Sequence, residues 1–175
     1  MRQDKVSQLK QESAHHRRVT HHVFARDMLL ASPYHRLITR AGEDVFSRIA
    51  ELIALPENAW LLDVDSGPGY LDTVLARRYP TAYITGVDES ASNIRFAKRL
   101  RLARLAKNCS FTSGNPARIP FGEASFDVVL SASSASYWPD GRRVLSEMRR
   151  VLVRDGMAKS TSITPKMSSR IWRPR

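Results

Sequence analysis

Two glycines, Gly67 and Gly69, follow a short apolar run that ends in Asp63-Val64, and they open a helical pattern. Backbone there can approach a ligand closely because no Cβ intervenes, and the amino end of a helix favours electron-rich groups. Asp88 closes the next apolar run, 25 residues after Asp63. A carboxylate at the end of a second strand can accept both hydroxyl hydrogens of a ribose, which is the logic of nucleoside binding. The bland alternative, a tight turn beside a surface acid, uses the same residues. A metal centre has less behind it. His15, His16, His21 and His22 form two adjacent pairs, but neighbours on a helix point about 100° apart. No Cys or carboxylate cluster completes a ligand set, so no metal is expected.

These residues need elements that hold them together. Val45, Phe46, Ile49, Leu52 and Ile53 make an apolar stripe at helical spacing that ends before Pro56. Residues 60–64 read as a buried strand, 70–79 as a helix with Leu71, Val74 and Leu75 inward, and 82–87 as a second strand. Residues 91–107 read as a long helix with Ile94, Ala97, Leu102 and Leu105 inward. Short strands follow at 109–112 and 126–130. A last helix is expected over 141–153, with Val144, Leu145, Met148, Val151 and Leu152 as its stripe. This alternation predicts an α/β fold with a doubly wound, mostly parallel sheet. In such sheets the ligand sits beyond the carboxyl ends of the strands, where strand order reverses. The loops after residues 64, 87, 112 and 130 are therefore expected to converge.

The 175 residues are 42% apolar and 26% charged, an ordinary globular composition that excludes collagen-like, disulfide-rich and wholly disordered chains. No run approaches the roughly 18 apolar residues that span a bilayer, and residues 1–10 lack the apolar stretch of a secretory signal. No membrane partner is expected. The lone Cys109 makes no intramolecular disulfide, so a cytoplasmic location is expected. The net charge of +11 is uneven. Lys and Arg outnumber Asp and Glu by nine to seven over 1–60, nine to eight over 61–140, and ten to two over 141–175. The basic surplus belongs to one end.

Four stretches in order, LLDVDSGPGYL (61–71), TGVDES (85–90), GNPARIPFGEASFDVVLSASSASYWPD (114–140) and VLSEMRRVLVRDG (144–156), resemble successive motifs of Rossmann-like (class I) S-adenosylmethionine-dependent methyltransferases. The likeness is to the methyltransferase type 11 branch and spans about 60–156. It implies S-adenosylmethionine as cofactor. Asp63 matches the acid that helps hold the ammonium of the methionine moiety, and Gly67 and Gly69 match glycines lining the cofactor. Asp88, with Glu89 beside it, matches the ribose-binding acid. Asn115 stands in place of an acid that accepts from the adenine amino group, and Ile119, Pro120 and Phe121 match the apolar turn beyond. Ser131 and Ala132 match the floor near the sulfonium.

The sequence departs from the family in three places. Asp65 replaces the first glycine of the turn. Pro116 has no N–H to donate to adenine N1. The last strands of the family's seven-stranded sheet are apparently missing: after Gly156 only a poor fifth strand, 157–164, precedes a basic tail. A missing pair leaves a sheet edge bare, so self-association through that edge is expected. The expected organisation is an N-terminal helical or lid segment over 1–40, the methyltransferase domain over 41–156, and a basic tail over 157–175. Three functions follow, in this order: transfer of methyl to a small-molecule acceptor; a degenerate or truncated interaction module with weak or no cofactor binding; and an RNA-directed methyltransferase or binder using the tail. Nucleic acid is thus the lesser partner. No residue is assigned a catalytic role: Tyr34, His35, Tyr137 and Trp138 fall near the expected mouth as lid or packing residues.

Overall fold

Strands that are apolar on both faces must be covered from both faces, and the computed structural model shows that arrangement. It describes residues 43–132, 138–162 and 168–172. The elements are α1 (Glu43–Glu51), β1 (Trp60–Val64), α2 (Tyr70–Arg78), β2 (Tyr83–Asp88), α3 (Ala91–Ala103), β3 (Cys109–Ser113), β4 (Phe126–Ala132), α4 (Gly141–Val151), β5 (Leu152–Ser162) and β6 (Ser168–Trp172). They build one six-stranded sheet in the order β3-β2-β1-β4-β5-β6, with β1 to β5 parallel and β6 antiparallel. The order turns back at β1 and β4, which puts the crevice at their carboxyl ends.

Every residue of β1 is buried. Leu61 joins Ile49, Leu75, Ile94 and Phe111 on the face covered by α1, α2 and α3. Leu62 and Val64 join Val144, Met148 and Val151 on the face covered by α4. Asp63 shares the pleat of Leu61 and therefore faces α2. The segment between α3 and β3 is pinned by one side chain. Asn108 Nδ2 donates to the carbonyls of Ala76, Tyr79 and Ala82 at 3.1, 3.0 and 2.8 Å, closing the end of α2 onto the start of β2.

Several expectations change. The helix expected over 91–107 stops at Ala103, and Leu105 has φ 55° and is 78% exposed instead of facing inward. The tight turn buries Ala106 and brings Asn108 to its three carbonyls. In α4 Leu145 is exposed, because Val144, Met148 and Val151 already fill the sheet-facing stripe. The largest correction concerns the last strands. β5 begins at Leu152, so it crosses the expected 156/157 boundary, and a register shift between Phe126 and Val128 takes up the extra residues between Leu152 and Met157. Within the expected tail, β6 pairs along Ala158–Ser162. The edge of β5 expected to lie bare is thus covered, and β6 becomes the outermost strand on that side of the sheet. Such pairing rests on backbone groups and needs no apolar alternation.

Asn108→Ala should lower the unfolding free energy by about 1–3 kcal/mol, since buried carbonyls lose their donor. Urea denaturation measures it, and an unchanged midpoint would contradict the pinning role.

Candidate functional site

Three residues of the β1–α2 turn have left-handed backbone: Asp65 (φ 64°), Gly67 (φ 58°) and Gly69 (φ 76°). The two glycines serve different ends. A Cβ on Gly67 would meet nothing within 4 Å, so its backbone faces open space. A Cβ on Gly69 would lie 2.5 Å from the Phe111 ring and 2.9 Å from Ala97, so this glycine lets α2 settle on the core. Gly86 in β2 also yields to Phe111, at 2.6 Å, and to Ser66 Oγ, at 2.7 Å. Asp65 carries a side chain at a left-handed position, at about 1–2 kcal/mol for an ordinary residue and less for Asp, which tolerates it better than most.

The turn and the acid after β2 are joined directly. Gly67 N–H donates to Asp88 Oδ2 at 2.8 Å, and Ser66 N–H donates to the Val87 carbonyl at 3.0 Å. Asp88 is buried, and its Oδ1 also accepts from Ser90 N–H (2.8 Å) and Asn93 Nδ2 (3.1 Å). An ionised carboxylate has about four acceptor sites. Three are in use, which leaves one for an external hydroxyl; a second hydroxyl would have to displace a protein donor.

The residues expected near a purine ring also meet. Asn115 Nδ2 donates to Glu89 Oε1 at 3.1 Å, and its Oδ1 accepts from Ala117 N–H at 2.7 Å. That oxygen keeps one lone pair for an external donor. Pro116 lies in this loop, whose start is tied to β2 by Gly114 N–H donating to the Asp88 carbonyl at 3.1 Å. The apolar turn beyond is clamped by a pair not singled out from the sequence. Arg150 Nη1 and Nη2 donate to the carbonyls of Phe121 and Ile119 at 2.9 and 3.0 Å, while Glu147 Oε2 accepts from Ile119 N–H at 2.8 Å. Arg150 and Glu147 also bond each other, at 2.7 Å. The hydrogen bond from Arg150 holds the Glu147 carboxyl below its ordinary range. Their i,i+3 spacing on a predicted helix was the available signal.

Under the turn lies an unbalanced group of acids. Asp63 and Asp72 are 1% and 0% exposed. Burial first, then the charges of Asp72, Asp65 and Asp88, push the Asp63 carboxyl well above the ordinary range. Burial likewise pushes Asp72 up to about 8, against the opposing pull of its own backbone N–H, with the Asp88 charge adding to the rise. Asp63 Oδ1, Ser66 Oγ and both carboxylate oxygens of Asp72 have no hydrogen-bond partner. An orphaned Asp63 oxygen behind an open glycine backbone fits a cationic amino group. Ser131 is fully buried at the end of β4, and Trp138 packs beneath α4 with the other face's core. Tyr34, His35, Tyr137 and the four paired histidines lie outside the described residues. Among the described residues no group of three or more His, Cys, Asp or Glu is placed to hold a metal ion, and no helix is long and apolar enough to cross a membrane.

Residues 62–158 match the type 11 family model described as "Methyltransferase domain". The chain belongs to this family. It is 34% identical over 123 residues to demethylmenaquinone methyltransferase of Thermotoga maritima, covering 70% of this chain and 52% of that protein. It therefore spans about half the length of that curated relative. Two solved structures share the fold at TM-score 0.64. One, a putative S-adenosyl-L-methionine-dependent methyltransferase from Methanococcus maripaludis, is 24% identical, with 68% of this chain and 56% of that one covered. The other, the [4+2]-cyclase SpnF, is 25% identical, with 70% and 45% covered. The cofactor that goes with this methyltransferase family and fold is S-adenosylmethionine.

The buried acids give a signed pH dependence. A carboxyl raised from 3.8 to about 8 on folding binds its proton more tightly in the folded chain, so stability falls as pH climbs between those values. Asp72→Asn should remove much of that fall, gaining on the order of a few kcal/mol over the natural chain at alkaline pH and little near pH 4. Denaturation midpoints across that range measure it. Parallel profiles for the two proteins would contradict the assignment.

Proposed function

We propose that this chain binds S-adenosylmethionine across the carboxyl ends of β1, β2 and β3 and transfers its methyl group to a small organic acceptor. The observation that carries the reading is the 2.8 Å bond from Gly67 N–H to Asp88 Oδ2, which brings the turn and the acid to one crevice. In this reading Asp88 takes the ribose, with Glu89 and Asn115 beside it toward the adenine. Asp63 takes the ammonium end, Gly67 lends its open backbone, and Asp65 and Ser131 lie toward the sulfonium. The apolar turn held by Arg150 and Glu147 covers the purine. When bound, the cofactor supplies a methyl group already activated on sulfur. The chain's residues orient it and exclude water, and a general base is needed only for a poorly nucleophilic acceptor. The relative named for demethylmenaquinone supports a small organic acceptor. The buried free thiol of Cys109 supports a reducing compartment such as the cytoplasm.

A second reading, a degenerate interaction module with weak or no cofactor binding, is favoured by three features. Asp88 is already largely occupied, Pro116 has no N–H, and Asp65 fills a glycine position. A similar fold carries a protein named as a cyclase, so the fold alone does not decide the reaction.

Titration calorimetry and thermal shift with S-adenosylmethionine and S-adenosylhomocysteine test the first reading. Binding is expected, with Asp88→Ala weakening it by about 10- to 100-fold, the worth of a charged hydrogen bond or two. Absence of heat and of any shift at millimolar ligand would sink it. Asp65→Gly should tighten binding several-fold and raise the melting temperature, because it relieves about 1 kcal/mol of backbone strain and removes one like charge.

A further inference from the structure

Five buried side-chain polar atoms among the described residues have no hydrogen-bond partner, and four of them belong to residues 63–72. They are Asp63 Oδ1, Ser66 Oγ, and Oδ1 and Oδ2 of Asp72; the fifth is Trp138 Nε1. Chance does not concentrate such atoms in one turn, since buried polar groups are satisfied almost everywhere in folded proteins. Asp63 is the last residue but one of β1 and faces α2, and Asp72 sits in the first turn of α2 facing the sheet. The turn between them is the one with Gly67 open to the outside. The resemblance to the methyltransferase family assigns a place to Asp63 but none to Asp72.

The charged and titratable groups facing Asp72 are Asp63 from β1, Asp88 from β2 and the buried Cys109 from β3. From α3, Arg101 faces Cys109, and Arg104 bonds Thr73 Oγ1 at 3.0 Å. Asp65 adds its charge to Asp63 from the turn. Two carboxyls in mutual reach and away from water cannot both ionise cheaply, which favours one of the two keeping its proton. What replaces a proton in such a place is another cation.

We propose that Asp72 is a second, proton-carrying acid behind Asp63, and that the ammonium end of S-adenosylmethionine expels that proton when it settles against Asp63. The proton leaves to solvent as the ligand's positive charge takes its place, so the local charge is conserved. Asp72 is then a positioning residue: it acts through Asp63, setting how strongly the site draws a cationic amino group. This rests on the reading that the β1–α2 turn takes the cofactor.

The test is calorimetric titration of the whole chain with S-adenosylmethionine at about pH 6.5, where the pair keeps its proton. Each titration is run in two buffers of different ionisation enthalpy. S-adenosylhomocysteine, which carries the ammonium without the sulfonium, forms a second arm. For the natural chain the heats should differ between buffers by close to one proton released per ligand, with both ligands. Affinity should rise by up to about tenfold per pH unit between about pH 5.5 and 7.5. Asp72→Asn should still bind, with the buffer difference and the pH slope of the affinity clearly reduced, since burial and the charges of Asp65 and Asp88 still act on Asp63. Asp72→Ala, which removes both oxygens, serves as a second variant. The ligand's own amine titrates alike against every variant, so the comparison isolates Asp72. Binding with buffer-independent heat in the natural chain, or undiminished proton release in both variants, overturns this proposal alone. No binding of either ligand overturns the cofactor reading and this proposal with it.

Discussion

The bond from Gly67 N–H to the Asp88 carboxylate is the constraint on which the rest of the site depends. It closes a short circuit in which β1 and β2 run side by side, Ser66 holds Val87, and the turn meets the acid at the end of β2. Phe111 supports the circuit from below, filling the space that side chains on Gly69 and Gly86 would need. The turn is thereby fixed with three left-handed residues, a backbone conformation that is costly at Asp65 and free at the two glycines. Buried acids beneath it add to that cost. Such a loop persists only because the sheet and its two apolar faces over-determine it, which is the usual relation between a strained site and its scaffold.

The parts of the fold legible from sequence are those where burial dictates residue type. β1 reads correctly to the residue because both its faces are covered, and β4 stands out for the same reason. The breaks come where a local cue competes with tertiary context. Asp72 stands in the first turn of α2, where an acid is favourable on a solvated face. It is buried because α2 packs between α1 and α3 and has almost no free side through its first turns. Leu105 looks like one more member of an inward stripe, yet the helix has already ended. β6 carries no pattern to read, because an edge strand is recruited through its backbone.

The candidate site was legible in its chain positions and not in its occupancy. Asp63, Gly67, Asp88 and Asn115 do converge, together with Glu89. Spacing alone does not reveal that Asp88 already accepts three hydrogen bonds, or that Asn115 spends its carboxamide on its own loop and on Glu89. Net charge misleads more strongly still. A chain of +11 buries a group of acids beneath the β1–α2 turn, while its basic residues crowd toward one end of the sequence.

The Lys159 ammonium, drawn below its ordinary pKa by burial, donates to the Leu52 carbonyl at 3.3 Å across 107 residues of chain. That carbonyl lies just past the end of α1, where helices leave acceptors unfilled. A ribosome delivers the chain from its amino end, so α1 emerges long before the cation that completes it. β1, at the middle of the sheet, likewise waits for β4 to cover one of its flanks. Until β5 leaves the exit tunnel the nascent domain therefore keeps an open seam through its core, and its consolidation waits on that strand.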